Sequence, residues 1–245
     1  MASKTPTKAV SARVRAELAL AYPALAGRPA QLDLQLESIC MRAYLLADPS
    51  EDEMVSAIQA WTWSWKRIKE LECKSDDLQA RLERECLLSF VGDRRASSLL
   101  FKSKLGERLG IADAAYLNRM RKRRALYGIN RHPMESARPA TDKELAECER
   151  QIRIFCKVPD DLPDDRLIQV IEDYESIAFD SYQLTDEEEH RSSAMSATEV
   201  ARKKAVRRIK ADLHAVDLYS RRLLGEPLTD YENAYLDAEL LRESQ

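Results

Sequence analysis

The chain repeatedly carries the local signal that begins an α-helix. A serine or threonine is followed three residues later by glutamate at Ser50/Glu53, Thr141/Glu144, Thr185/Glu188, Ser196/Glu199 and Thr229/Glu232. In this capping box the hydroxyl accepts a hydrogen bond from one unpaired backbone amide and the carboxylate accepts from another. The chain also has only six glycines and nine prolines, too few for the turns of an all-β fold. The sequence therefore predicts an all-α protein, a bundle of several helices.

Prolines and capping signals divide the chain into eleven predicted helices. They cover residues 9–22, 31–47, 51–73, 75–90, 94–109, 113–127, 141–156, 164–182, 186–194, 197–224 and 229–243. In the segment 133–140, Pro133 and Pro139 flank a short polar run, and we interpret this segment as a linker between one helical domain at 1–132 and a second at 141–245. No repeat with a period of 20–50 residues is present, which disfavours a solenoid.

Positive charge is concentrated in the middle of the chain. Residues 94–132 hold eleven Lys and Arg against two acids, a balance of +9, although the whole chain carries −3. Residues 141–195 are acidic, with a balance of −10, and residues 202–222 are basic again at +6. Neighbouring blocks of opposite charge can pair with each other, but a segregated basic segment is also the usual footprint of phosphate binding. The central segment predicts contact with DNA or RNA.

Part of the basic segment has the pattern of a short helix, a tight turn and a second helix. The stretch Leu105-Gly-Glu-Arg-Leu-Gly-Ile111 is followed by Leu117-Asn-Arg-Met120. Over residues 99–124 this pattern resembles the helix-turn-helix family of DNA-binding units. It departs from that family by one additional residue between the turn and the apolar anchors, and by Gly106 at a position where alanine is usual. The resemblance implies a second helix that enters the major groove of a DNA duplex.

The resemblance also assigns roles to individual residues. Gly110 would allow the turn, because a Cβ there would clash. The apolar residues expected to pack between the two helices are Leu105, Leu109, Ile111, Tyr116, Leu117 and Met120. The polar face of the second helix would be left available to nucleic acid.

Ten polar residues are the candidate nucleic-acid contacts. They are Arg94, Arg95, Lys102, Lys104, Asn118, Arg119, Arg121, Lys122, Arg123 and Arg124. The cationic residues are expected to contact phosphates, and Asn118 is the best candidate for a base contact because asparagine can pair with adenine.

Three tryptophans stand close together in the predicted helix 51–73. Trp61 and Trp65 share a helical face with two isoleucines and are expected in the core, whereas Trp63 lies on the opposite face. Either a second helix covers Trp63, or it is exposed beside cations and stacks on a base or anchors a partner.

Signatures of catalysis and of metal binding are weak. The sequence has no Walker-type loop, no GxSxG and no GxGxxG. Glu187 and His190 form a single Glu-x-x-His pair, whereas a di-iron bundle needs two such pairs and two further glutamates. We therefore expect no catalytic residues, no metal site and no cofactor.

The function predicted is a non-enzymatic nucleic-acid-binding accessory or regulatory protein, a subunit of a larger nucleoprotein assembly. The alternative is a protein-interaction adaptor without a nucleic-acid role, whose opposed charge blocks dock a protein partner or a second copy of the chain.

The five cysteines form no CxxC pair, which favours reduced thiols and a cytoplasmic location. No apolar run approaches the roughly 20 residues that span a bilayer, so no membrane association is expected.

Overall fold

The structure is a computed structural model that describes residues 10–74, 76–130, 140–159, 161–190 and 196–244, without the side chains of 130, 179–190 and 244. In these ranges the protein contains eleven α-helices and no strand, which confirms the all-α prediction. The helices are α1 (Ala12–Ala21), α2 (Pro29–Arg42), α3 (Glu51–Glu72), α4 (Leu78–Ser89), α5 (Arg94–Lys104), α6 (Ile111–Asn130), α7 (Asp142–Phe155), α8 (Asp164–His190), α9 (Ala197–Arg208), α10 (Leu213–Leu223) and α11 (Asp230–Ser244). A short 3-10 helix, Pro23–Leu25, separates α1 from α2.

Four of the five capping boxes begin helices as predicted. At the start of α3, the Glu53 amide donates to the Ser50 hydroxyl at 3.2 Å while the Ser50 amide donates to the Glu53 carboxylate at 2.8 Å. The same reciprocal pair begins α7, α9 and α11. The fifth prediction is wrong, because Thr185 and Glu188 lie inside α8; their side chains are outside the described part.

Several predicted helix boundaries differ from the structure. The predicted helices 31–47 and 94–109 each end five residues earlier, at Arg42 and Lys104. The predicted helices 164–182 and 186–194 are one helix, α8, as far as His190. The predicted helix 197–224 is two helices, because the chain leaves α9 at Ile209 and Asp212 begins α10 by accepting from the Ala215 amide at 2.8 Å. Aspartate is a strong N-cap and interrupts a helix here without proline or glycine.

The described residues form two compact units. The first comprises residues 10–123 and 140–144, and the second comprises 124–130 and 145–244. The division therefore falls within α6 and within α7, and most of the predicted linker 133–140 is outside the described residues. Ala140 belongs to the first unit, where its carbonyl accepts from the Ala47 amide at 3.1 Å.

Each unit has its own apolar core. In the first unit α1 to α4 enclose a cluster that includes Ile58, Trp61 and Ile68, as predicted for that face of α3. In the second unit Ile177 packs with buried residues of α9, α10 and α11, of which Leu236 is fully buried.

The two units repeat the same order of helices. α2 and α7 each have 14 residues and lie 113 positions apart, and α3 and α8 begin at the same spacing, at Glu51 and Asp164. After α2 and α7, Tyr44 and Lys157 adopt left-handed backbone with φ of 55° and 52°, also 113 positions apart. At the same spacing, residues 12–17 of α1 correspond to residues 125–130 of α6, near the start of the second unit.

From α4 onwards the two units are related by 119 positions. α4 and α9 each have 12 residues and begin 119 positions apart. α5 and α10 each have 11 residues and also begin 119 positions apart. Gly106 and Gly225 follow α5 and α10 with φ of 79° and 78°. Between residues 93–123 and 212–242, 11 of 31 positions are identical without a gap. The chain therefore contains two copies of one helical unit, and we call residues at these spacings counterparts.

Candidate nucleic-acid interface

The first unit contains a groove of about 990 Å³ between three of its helices. Each helix contributes residues at positions i, i+3, i+4 and i+7, which share one face of a helix. These residues are Glu53, Ser56, Ala57 and Ala60 of α3; Arg95, Ser98, Leu99 and Lys102 of α5; and Tyr116, Arg119, Met120 and Arg123 of α6. The lining is completed by Ala43 and Leu45, which follow α2, and by Gly92, Asp93 and Arg94 at the start of α5. We call this groove the basic trough.

Five of the ten predicted contact residues line the basic trough. They are Arg94, Arg95, Lys102, Arg119 and Arg123, and the lining holds two carboxylates, Glu53 and Asp93, which leaves a balance of +3. The five residues come from two consecutive helices, α5 and α6, and they lie together only because these helices pack against each other. Their field would concentrate anions at the trough.

Most of the trough cations have no carboxylate partner within the described ranges. Arg95 is the exception, since its guanidinium donates to Asp113 at 2.9 Å, and this hydrogen bond raises the pKa of Arg95. No ion pair joins Arg94, Lys102, Arg119 or Arg123 to any carboxylate that the structure describes, although the Arg123 charge, after the hydrogen bonds from Ser50, helps to lower the pKa of Glu53. Four exposed or half-buried cations therefore remain available to an anionic ligand.

Aromatic rings hold three of the guanidinium groups in place. The Arg94 guanidinium lies 4.2 Å from the centre of the Trp63 ring, and those of Arg95 and Arg119 lie 4.3 and 5.3 Å from the centre of the Tyr116 ring. Stacking reduces the conformational freedom that an arginine would lose when it binds a ligand. Trp63 is half-buried against the core, and the Arg94 guanidinium stacks on its ring.

Asp93 fixes the start of α5 beside the trough. One carboxylate oxygen accepts from the Ala96 amide at 2.9 Å, which caps the helix, and the other accepts from the Tyr116 hydroxyl at 2.6 Å. Burial, followed by the hydrogen bond to Asp93, raises the pKa of Tyr116. This pair ties α6 to the first turn of α5 and so sets the positions of Arg94, Arg95 and Arg119.

The other five predicted contact residues lie away from the trough lining. Lys104 is 3.7 Å from Glu85, and Arg124 belongs to the second unit, where it is 3.7 Å from Glu172. Asn118, Arg121 and Lys122 are half-buried on other faces of α6.

The connection between α5 and α6 differs in detail from the expected turn. The left-handed residue is Gly106, with φ of 79°, whereas a Cβ at Gly110 would meet no atom within 4 Å. Leu117 and Met120 are buried against α5 as expected, with Leu109 and Tyr116 packed beside them. Leu105 and Ile111 were expected to pack there as well, but Leu105 is 42% and Ile111 92% exposed.

The second unit retains the residues that shape the trough. Asp212 and Tyr235 are the counterparts of Asp93 and Tyr116, and the Tyr235 hydroxyl donates to the Asp212 carboxylate in the same way. Leu99 has the identical buried counterpart Leu218. These shared residues are therefore part of the common helical framework.

Three of the five trough cations are particular to the first unit, whereas Lys102 and Arg123 have the cationic counterparts Arg221 and Arg242. The counterparts of Arg94, Arg95 and Arg119 are Leu213, His214 and Ala238. Because the same framework forms in the second unit without these three arginines, the fold does not require them.

Comparison with known protein families, with curated proteins and with solved structures finds no match for this chain. None of the described helices is both long enough and apolar enough to cross a membrane. Among the side chains that the structure describes, no three potential metal ligands (His, Cys, Asp or Glu) lie together; those of Glu187 and His190 are outside this part.

Proposed function

We propose that the protein is a non-enzymatic nucleic-acid-binding accessory or regulatory protein, and that its basic trough holds the phosphate backbone. The observation that carries the proposal is the group of four trough cations, Arg94, Lys102, Arg119 and Arg123, none of which forms an ion pair with a carboxylate among the described residues. Arginine and lysine supply most protein contacts to phosphate oxygens.

The length of the trough favours a polyanion over a single phosphate. Arg95 and Lys102 are seven residues apart on α5, which corresponds to about 10 Å along the helix axis. Arg119 and Arg123 lie one helical turn apart on α6. Cations spread over this distance match a ligand with repeated phosphates, as in a nucleic-acid strand.

The proposal includes the cellular setting predicted from the sequence. A reducing, cytoplasmic compartment agrees with five cysteines that form no disulfide. A place in a larger nucleoprotein assembly agrees with a second unit that repeats the framework without three of the trough arginines.

The test measures binding of a fluorescent oligonucleotide by anisotropy at 50 to 200 mM salt. Four phosphate contacts on a single strand give a log–log salt slope of about −2.8, so binding weakens by about 50-fold over this range. Substitution of the four cations by Ala should remove nearly all of this binding. The matched control replaces four exposed cations of the same unit that lie outside the trough, Lys66, Lys69, Lys74 and Arg81, by Ala.

Circular dichroism first shows that both variants keep their helices. Equal loss in the two variants would mean that only total charge matters, which would refute the assignment to the trough. No oligonucleotide binding by the wild-type protein at 50 mM salt would refute the proposed function and leave the protein-interaction adaptor as the remaining hypothesis.

A further inference from the structure

The cations of α6 that line the trough point toward α3 and α5. Arg119 and Arg123 share a helical face with Tyr116 and Met120, and Met120 is buried against α5. A recognition helix must instead present its contact residues outward to enter the major groove of a duplex. A phosphate that enters the trough can reach both Arg119 and Arg123.

The amides at the start of α5 are a further part of the trough. The Arg94 and Arg95 backbone N–H groups donate to no oxygen in the described part of the chain, as is common in the first turn of a helix. Such amides, together with the helix dipole, favour an anion.

The second unit fills the corresponding position with its own carboxylate. The counterpart of the Arg94 amide is the Leu213 amide, which donates to Asp173 at 3.2 Å. The counterpart of Asp173 in the first unit is Ala60, which lines the trough and offers no acceptor. The second unit therefore holds a carboxylate at the start of α10. The first unit leaves the corresponding amide at the start of α5 open, beside the trough cations.

We propose that the basic trough binds a single-stranded nucleic-acid segment, with one phosphate at the open start of α5, and that it discriminates against duplex. This inference rests on the proposed function and names its ligand. A flexible strand can bend its phosphates into a recessed trough, whereas a duplex is stiff over roughly 150 base pairs and presents its phosphates on a convex surface.

The trough also has groups that suit unpaired bases. Arg95 and Arg119 stack on the Tyr116 ring, and a guanidinium or aromatic face can stack on any exposed base. Ser56 and Ser98 add hydroxyl groups to the walls. Stacking of this kind tolerates any base, so we expect weak sequence preference.

The experiment compares a 15-nucleotide oligo(dT) with a 15-base-pair DNA duplex as anisotropy probes at 100 mM salt. We expect the wild-type protein to bind the single strand at least tenfold more tightly. Ala60→Asp introduces the carboxylate of the second unit and should weaken single-strand binding at least tenfold. Ala60→Asn adds a similar volume without charge and should weaken it less.

The matched control is Ala30→Asp, the same change at an exposed position of α2 outside the trough. If Ala60→Asp does not fold by circular dichroism, Ser98→Asp replaces it, because Ser98 is exposed and its counterpart is Asp217. We expect Ser98→Asp to weaken binding and Ala30→Asp to retain it.

Each outcome bears on a different claim. Tighter binding of the duplex, or equal losses in the trough variant and in Ala30→Asp, would overturn the single-strand inference while nucleic-acid binding stands. Failure of both probes to bind at 50 mM salt would overturn the proposed function itself.

Discussion

Glu175 on α8 gives the second unit a stability that depends on pH. Its side chain is half-buried, and a Cβ at Gly128 would collide with its carboxylate. Burial, with a smaller contribution from Glu172, raises the pKa of Glu175 from its usual 4.5 to about 7, although Arg124 opposes the shift. The folded protein therefore binds this proton more tightly than the unfolded chain does.

The sign of the effect follows from this difference. Below pH 4.5 the carboxyl is protonated in both states, and stability is not reduced. Between pH 4.5 and 7 the unfolded chain releases the proton while the folded protein retains it, so stability falls as pH rises. Above pH 7 the loss is complete. A shift of this size corresponds to about 3 kcal/mol, and partial contact of the side chain with water reduces it to about 2 kcal/mol.

Glu175→Gln keeps the shape of the side chain without the charge. We expect this variant to match the wild type at pH 4.5 and to be more stable by about 2 kcal/mol at pH 8, measured by urea unfolding with circular dichroism. Glu147→Gln, at an exposed carboxylate whose pKa is lowered by Arg150, is the control and should not gain stability at pH 8. A Glu175→Gln variant less stable than wild type at pH 8 would refute the reasoning, since it would show that Arg124 outweighs burial.

Two further predictions concern glycines. Gly92→Ala should destabilise the protein by about 1 to 3 kcal/mol in urea unfolding, because the new Cβ would lie 2.6 Å from the Ala43 Cα; an unchanged midpoint would show that the backbone there can move. Gly106→Ala and Gly225→Ala should each cost about 1 kcal/mol, because both residues are left-handed with open space around them. Gly110→Ala, with equal space but no left-handed φ, is their control, and an equal loss there would contradict the explanation.

The helical fold was predictable because its signals are local. The boxes at Ser50, Thr141, Ser196 and Thr229 each act within one turn, so the sequence alone locates them. Thr185 carries the same pattern inside α8. A capping pattern therefore begins a helix only where the residues before it are not already helical.

The trough was only partly predictable, because its cations come from two helices and its opposite wall is supplied by α3. Sequence reasoning identified Arg94, Arg95, Lys102, Arg119 and Arg123 by charge alone. It could not distinguish them from the other basic residues of the segment, because tertiary packing decides the face of α6 that lies against α5. It also missed Ala60, an apolar residue that carries no local signal of function.

The repeat itself has a sequence signal that a search for short periods misses. Leu105-Gly-Glu-x-Leu109 recurs at 224–228, and Ala115-Tyr-Leu117 recurs at 234–236, both 119 positions later. The period exceeds 110 residues, well beyond the 20–50 residues of solenoids. Three of the trough arginines, Arg94, Arg95 and Arg119, are replaced in the second copy, while the capping aspartate and its tyrosine partner are retained.

The most direct test of the central claim, that an anionic strand binds in the first unit's basic trough, is amide hydrogen exchange with and without oligo(dT). We expect slower exchange in peptides that cover the start of α5 and the 116–123 part of α6, with no change at the counterpart positions of α10 and α11. Protection confined to α10 and α11, or equal in both units, would contradict the account.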